Sequence, residues 1–143
     1  MPPCTMPIRP KSLRAVAQKA STLEAWGFGL AEFLDEVTAV RRTGPSSSLF
    51  DLIKEEPPVL SVRFAQGETA DAFGAALAEY LAQAAEVPSP AWTRQRERFL
   101  SHAWFPLRQI ADQPHLRSVI ERETPPAFRE HNVFIDENSL IRA

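Results

Sequence analysis

The chain has 143 residues, 44% hydrophobic and 24% charged, with 16 Lys or Arg against 18 Asp or Glu for a net charge of −2. These are the proportions of one ordinary globular domain with enough chain to bury a core. So even a balance supplies no field to hold a polyanion, which argues against a general nucleic-acid binder. The single cysteine, Cys4, excludes an internal disulfide, and no run approaches the roughly 18 apolar residues of a membrane span. With no basic-then-apolar leader, the expectation is a cytoplasmic protein without membrane contact.

Residues 1–10 hold Pro2, Pro3, Pro7 and Pro10 and no periodic pattern, so a flexible lead-in is expected there, with one helical domain over 11–143. A short helix from about Lys11 would turn Leu13, Val16 and Ala17 inward. Ser21-Thr22-Leu23-Glu24 has capping-box spacing. It precedes Leu23, Trp26, Gly27, Leu30, Phe33, Leu34 and Val37 at helical intervals, with Gly27 on the apolar stripe as a point of close packing. Gly44-Pro45 ends that helix. A short helix from Ser48 runs into Pro57-Pro58, and Val59–Phe64 reads as extended loop. The longest helix is expected over about 69–86, with Phe73, Leu77, Tyr80, Leu81 and Ala84 on its inner face.

Ser89-Pro90 then opens a helix placing Trp92, Arg96, Phe99, Leu100 and Ala103 on one face, limited by Pro106. Leu107–Ala111 reads as a helical turn, and Asp112-Gln113-Pro114 restarts a helix burying Leu116, Val119 and Ile120. Thr124-Pro125 caps a last helix to about His131, followed by an apolar tail with Val133, Phe134, Ile135, Leu140 and Ile141. The fold class is therefore all-α: an irregular single-domain bundle of about six helices with an extended C-terminal tail. An apolar terminus needs a surface to bury it, either its own core or a partner's.

Chemistry is hard to find. His102, His115 and His131 lack metal-ligand spacing, and Asp112 beside His115 reads as a cap, so no metal is expected. There is neither a phosphate-binding glycine loop nor a nucleophile elbow, and Gly27-Phe28-Gly29 lies within an amphipathic helix, so no cofactor is expected. Glu55 and Glu56 read as solvated charges. The nearest approach to a catalytic cluster is His131 with Glu130, Asp136 and Glu137; it would need an open pocket holding the histidine beside Asp136 or Glu137. A helix-turn-helix sought over 21–56 ends in an apolar and acidic second helix, Leu49–Glu55, unsuited to reading bases. Arg94, Arg96 and Arg98 cannot share one helix face, and Trp26, Trp92, Trp104, Phe99 and Phe105 are assigned to the core.

Several stretches, in order, resemble a largely uncharacterised family of bacterial proteins from actinobacteria and some proteobacteria. They are Leu23-Glu24-Ala25-Trp26 with Phe33-Leu34-Asp35, Leu52–Pro58, Ala70-Asp71-Ala72-Phe73 with Ala78–Ala82, Val87–Trp92, Ala103-Trp104-Phe105, and above all Thr124–Arg129 with Asn132–Ile135. Such proteins are often encoded beside nucleotidyltransferase-like proteins, in an arrangement resembling toxin–antitoxin operons. The resemblance implies a non-catalytic, antitoxin-like partner of a nucleotidyltransferase-type toxin. It carries no catalytic residues, and the helix-turn-helix domain of some members has no counterpart here. Phe128, Arg129, Val133, Phe134, Ile135, Asp136 and Glu137 are the expected partner-binding residues, with aromatic and arginine side chains as anchors. The alternatives are an enzyme of unrecognised type built around His131, or a DNA-associated regulator.

Overall fold

The computed structural model describes residues 10–106 and 112–136, and within them the chain is an all-α bundle. Its helices are α1 (Leu13–Lys19), α2 (Leu23–Thr43), α3 (Ser46–Ile53), α4 (Gly67–Ala85), α5 (Pro114–Glu123) and α6 (Pro126–Glu130). Two 3₁₀ turns, Ala91–Arg94 and Arg96–Arg98, follow α4. Among the described residues there is no strand, only an isolated parallel bridge between Trp104 and Val133, and no helix is long and apolar enough to cross a membrane.

The first three helices follow the apolar pattern. Ser12 caps α1 by accepting from the Ala15 N–H at 3.0 Å, and Leu13, Val16 and Ala17 are buried. In α2 the cap is Thr22, not Ser21: its hydroxyl accepts from the Ala25 N–H at 3.0 Å. With Ala25 rather than Glu24 at the third helical position, the expected capping box does not close. Trp26, Leu30, Phe33, Leu34 and Val37 are buried as expected, but Gly27 is not a packing point. It is exposed, and a Cβ there would meet nothing within 4 Å. The close approach falls at Gly29, where a Cβ would lie 3.3 Å from Val16 Cγ1.

α4 is the centre of the bundle, with buried residues all round rather than along one stripe. Alanines at 70, 72, 75, 76, 78 and 82 let neighbours close in on every side, while Ala84, expected inside, is exposed. Gly67 admits the 60–61 backbone: a Cβ there would stand 1.9 Å from Leu60 O and 2.3 Å from its carbonyl carbon. One turn on, Asp71 accepts from the Leu60 N–H at 2.7 Å and the Ser61 N–H at 3.0 Å. The loop from Pro57 to Phe64 is thus strapped onto α4, which gives a strandless segment its fixed path.

The helix expected over 91–105 does not form. A continuous helix would have buried Arg96 alongside Trp92; the 3₁₀ turns instead deliver Trp92, Thr93 and Arg98 to the core and leave Arg96 exposed. Residues 99–106 then run without helix beside the C-terminal segment, joined by Leu100 N–H to His131 O (3.3 Å), Trp104 N–H to Asn132 O (2.9 Å) and Phe134 N–H to Trp104 O (2.9 Å). Tertiary partners override local helix preference here.

α5 also departs from expectation: none of its residues is fully buried, Leu116 is 44% exposed, and Val119 and Ile120 are half-buried. Its cap is Gln113 rather than Asp112, with no side-chain bond. Thr124 does not cap α6, which starts at Pro126; its hydroxyl lies 2.6 Å from Ile120 O and 3.2 Å from Ile135 O, tying α5 to the C-terminal segment. Asn132, in the left-handed region at φ 64°, then reverses the chain. The expected turn at 107–111 lies outside the described residues, as do 1–9 of the expected lead-in.

Candidate functional site: a sealed polar cluster and an open aromatic face

His131, the one histidine with a catalytic case, is fully buried. Its Nδ1 lies 2.6 Å from the Arg98 carbonyl oxygen and its Nε2 2.7 Å from Glu79 Oε1. A carbonyl only accepts, so Nδ1 carries a proton and the next proton lies between Nε2 and Oε1. On the other carboxylate oxygen, Arg94 Nε sits at 2.8 Å and the Thr93 hydroxyl at 3.0 Å, and Arg94 reaches out to Glu130 Oε2 at 2.8 Å. The Phe99 ring stacks on the imidazole at 4.2 Å. Both imidazole nitrogens are occupied by protein, and the group beside them is Glu79 rather than Asp136 or Glu137. Asp136 is exposed, and Glu137 lies outside the described residues. The cluster therefore acts as a clamp, fastening the 93–98 turns and the C-terminal segment to α4.

A second buried pair extends the clamp. Arg98, 1% exposed, donates to Pro57 O at 2.7 Å and Gln95 Oε1 at 3.3 Å, lies 5.0 Å over the Trp92 ring, and has Nη1 3.6 Å from Asp71 Oδ1. Burial pushes the Asp71 carboxyl above the ordinary carboxylate range, against the opposing pull of the Leu60 and Ser61 N–H donors and the Arg98 charge. Burial likewise lowers the Arg98 guanidinium, against the attraction of Asp71. Desolvation outweighs attraction on both sides, so the pair's value lies in fixing geometry; removing one member strands the other. Among the described residues no buried side-chain polar atom lacks a partner, and no group of three His, Cys, Asp or Glu is placed to hold a metal.

The expected partner-binding residues divide. Phe128, Val133 and Ile135 are buried in the chain's own core, where Phe128 meets Phe73 edge-on at 5.3 Å and packs on Tyr80 at 5.8 Å. Phe134, Arg129 and Asp136 face outward to differing degrees. Arg129 closes the end of α5, donating to Glu121 O, Arg122 O and Thr124 O at 3.0–3.2 Å. Phe134 is half-buried and stacks on Phe105 at 5.3 Å, and Arg117 lies 5.1 Å over the Phe105 ring. Beside them an open depression of about 470 Å³ is lined by Ser118, Glu121, Arg122, Arg129 and Phe134. Leu116, Val119 and Ile120 lie on the other side of α5 from Ser118, Glu121 and Arg122, so the depression is mainly polar with Phe134 as its aromatic wall, and the apolar stripe of α5 is a separate, partly exposed surface.

Phe105 is buried, as assigned, while sequence reasoning missed Glu79, Thr93, Arg94 and Asp71 in the clamp, and the exposure of Leu116 with Arg117 lying over the Phe105 ring. Glu79 and His131 are 52 residues apart, beyond any local spacing signal. The face had one legible hint, the apolar positions of α5, but they read as core. Comparison with protein-family models, curated proteins and solved structures finds no match to this chain.

Proposed function

We propose that this chain is a non-catalytic protein-interaction module that binds a partner protein through the face formed by α5 and the adjoining Phe134, with the buried Phe105 ring beneath it. The observation that carries the reading is that α5, a ten-residue helix with apolar Leu116, Val119 and Ile120, buries none of them fully. Aromatic side chains overlaid by arginine are the groups from which interface anchors are drawn. The inward burial of Phe128, Val133 and Ile135 makes them the support of that face, not contacts.

The partner proposed from the family resemblance is a nucleotidyltransferase-like toxin encoded beside this gene, which the module neutralises. The test is co-purification of the two products and rescue of growth on co-expression. Wild-type chain is expected to bind and rescue, and Leu116→Asp with Phe134→Asp to lose both while keeping its helical signal. No binding together with no rescue by the wild-type chain overturns the reading.

A further inference from the structure

Between α1 and α2 runs a groove of about 290 Å³, walled by Ala15 and Val16 of α1 and Ala25 and Gly29 of α2, with Lys19, Glu32 and Pro10 also lining it. Phe28 edges it, 75% exposed, and is a helical neighbour of Ala25 and Glu32. Two contacts fix its direction: Val16 faces Gly29, and Lys11 pairs with Glu36 at 3.0 Å. The helices are therefore antiparallel, with Lys19 near Ala25 at one end of the groove. Pro10 enters at the other end, beside Glu32. It is buried there, and the backbone bends at Lys11 and Ser12 before α1 begins. The chain ahead of Pro10 thus meets the groove at its Glu32 end.

The residues that lead into Pro10 are Cys4-Thr5-Met6-Pro7-Ile8-Arg9. Met6 and Arg9 each precede a proline, which holds them to extended backbone. Successive side chains of an extended chain point to opposite sides, so Met6, Ile8 and Pro10 share one side. The α2 wall from Ala25 to Glu32 is about 10 Å long at 1.5 Å per residue. An extended chain covers that distance in about three residues, which sets Ile8 within the groove and Met6 at its Lys19 end. Helix walls offer no spare backbone groups to pair with. Prolines at 7 and 10 remove two N–H donors that would need partners, and their fixed φ reduces the freedom lost on ordering. Arg9 brings a cation to Glu32, which has no partner among the described residues.

We infer that residues 4–9 form an intramolecular strap along the α1–α2 groove, with Ile8 and Met6 set between the helices and Arg9 against Glu32. The groove shares no residue with the α5 surface, so the strap stands or falls independently of the proposed partner. The test places a nitroxide on Cys4, the only cysteine, in the full chain. Along an extended chain Cys4 lies about 20 Å from Pro10, past the Lys19 end of the groove. The amide signals of residues 19–25 are therefore expected to broaden more than those of residues 32–36, and Ile8→Asp to abolish the difference. Ile8→Asp is also expected to speed amide exchange in α1 about tenfold, the effect of half-burying one isoleucine. Nitroxide-bearing chain mixed with isotope-labelled, nitroxide-free chain is expected to broaden nothing. Broadening without preference for residues 19–25, a preference that survives Ile8→Asp, or unchanged exchange in α1 overturns the proposal. So does broadening in the mixture, which sets the segment on a second copy.

Discussion

Replacing Gly67 by alanine adds one methyl group, and its cost can be worked from the strap it disturbs. The backbone at Gly67 is not in the left-handed region, so alanine meets no conformational penalty and the effect is purely steric. Its Cβ would lie 1.9 Å from Leu60 O, 2.3 Å from Leu60 C and 2.8 Å from Ser61 N, all backbone atoms that no rotamer change can move. The 60–61 segment must retreat, and that breaks or stretches both N–H bonds to Asp71. Hydrogen bonds to a charged acceptor are worth about 1.5–3 kcal/mol each, so a net loss of about 3–4 kcal/mol is expected. For a chain of this size that is a fall in melting temperature of roughly 10–15 °C. Gly27→Ala is the matched control, the same methyl group added in a helix where nothing lies within 4 Å. It is expected to stabilise by about 0.5–1 kcal/mol. Denaturant titration followed by far-UV circular dichroism measures both. Gly67→Ala within about 1 kcal/mol of wild type would refute the reasoning.

Arg98→Met is expected to cost about 3–5 kcal/mol by stranding Asp71 and the Pro57 carbonyl. Arg98→Lys should recover only part of it, since one ammonium cannot serve Pro57, Gln95 and Asp71 with the guanidinium's geometry; full recovery in denaturant titration would contradict this. Asp71→Asn keeps one acceptor for two N–H donors and destabilises, with a pH signature. Because the folded-state pKa of Asp71 lies above its unfolded value, its contribution is fully present below the ordinary carboxylate range and is lost as pH rises through the folded value. The deficit of Asp71→Asn relative to wild type should therefore narrow from acid to neutral pH; a widening deficit in paired melts would reverse the sign. His131→Ala leaves Glu79 Oε1 and the Arg98 carbonyl without their buried partner, although Arg94 and Thr93 still hold Glu79 Oε2, and should cost about 3–4 kcal/mol. His102→Ala and His115→Ala, both at exposed positions, should stay within about 0.5 kcal/mol, and equal effects at all three would deny the clamp.

How legible these features were depends on how local their causes are. α1, α2 and the loop after Pro58 could be read because apolar spacing and proline stops act within a few residues, although the caps fell on Ser12, which was not singled out, and on Thr22 rather than Ser21. α4 was located but its burial was not. Alanines leave no stripe to read, and Asp71 and Glu79 look like solvated charges until Arg98, Arg94 and His131 arrive from elsewhere in the chain. The same partners undid the helix expected over 91–105, since Thr93 and Arg98 gain more from α4's carboxylates than from helical neighbours. The C-terminal segment was rightly singled out as needing a burial surface. Alternation along it sends Val133 and Ile135 inward and Phe134 outward, a period-two split that an irregular terminal segment does not announce. The stacking of Phe134 on Phe105 could not be recognised because the two residues are distant in sequence and are brought together beside the bridge between Trp104 and Val133.

The central claim is that the surface formed by α5 and the adjoining Phe134 binds a partner protein. The most direct measurement is calorimetric titration of the neighbouring gene product into wild-type chain and into the Leu116→Asp, Phe134→Asp variant. The account predicts saturable binding to wild type, lost in the variant while its fold is retained. Binding of equal strength to both, or to neither, would contradict it.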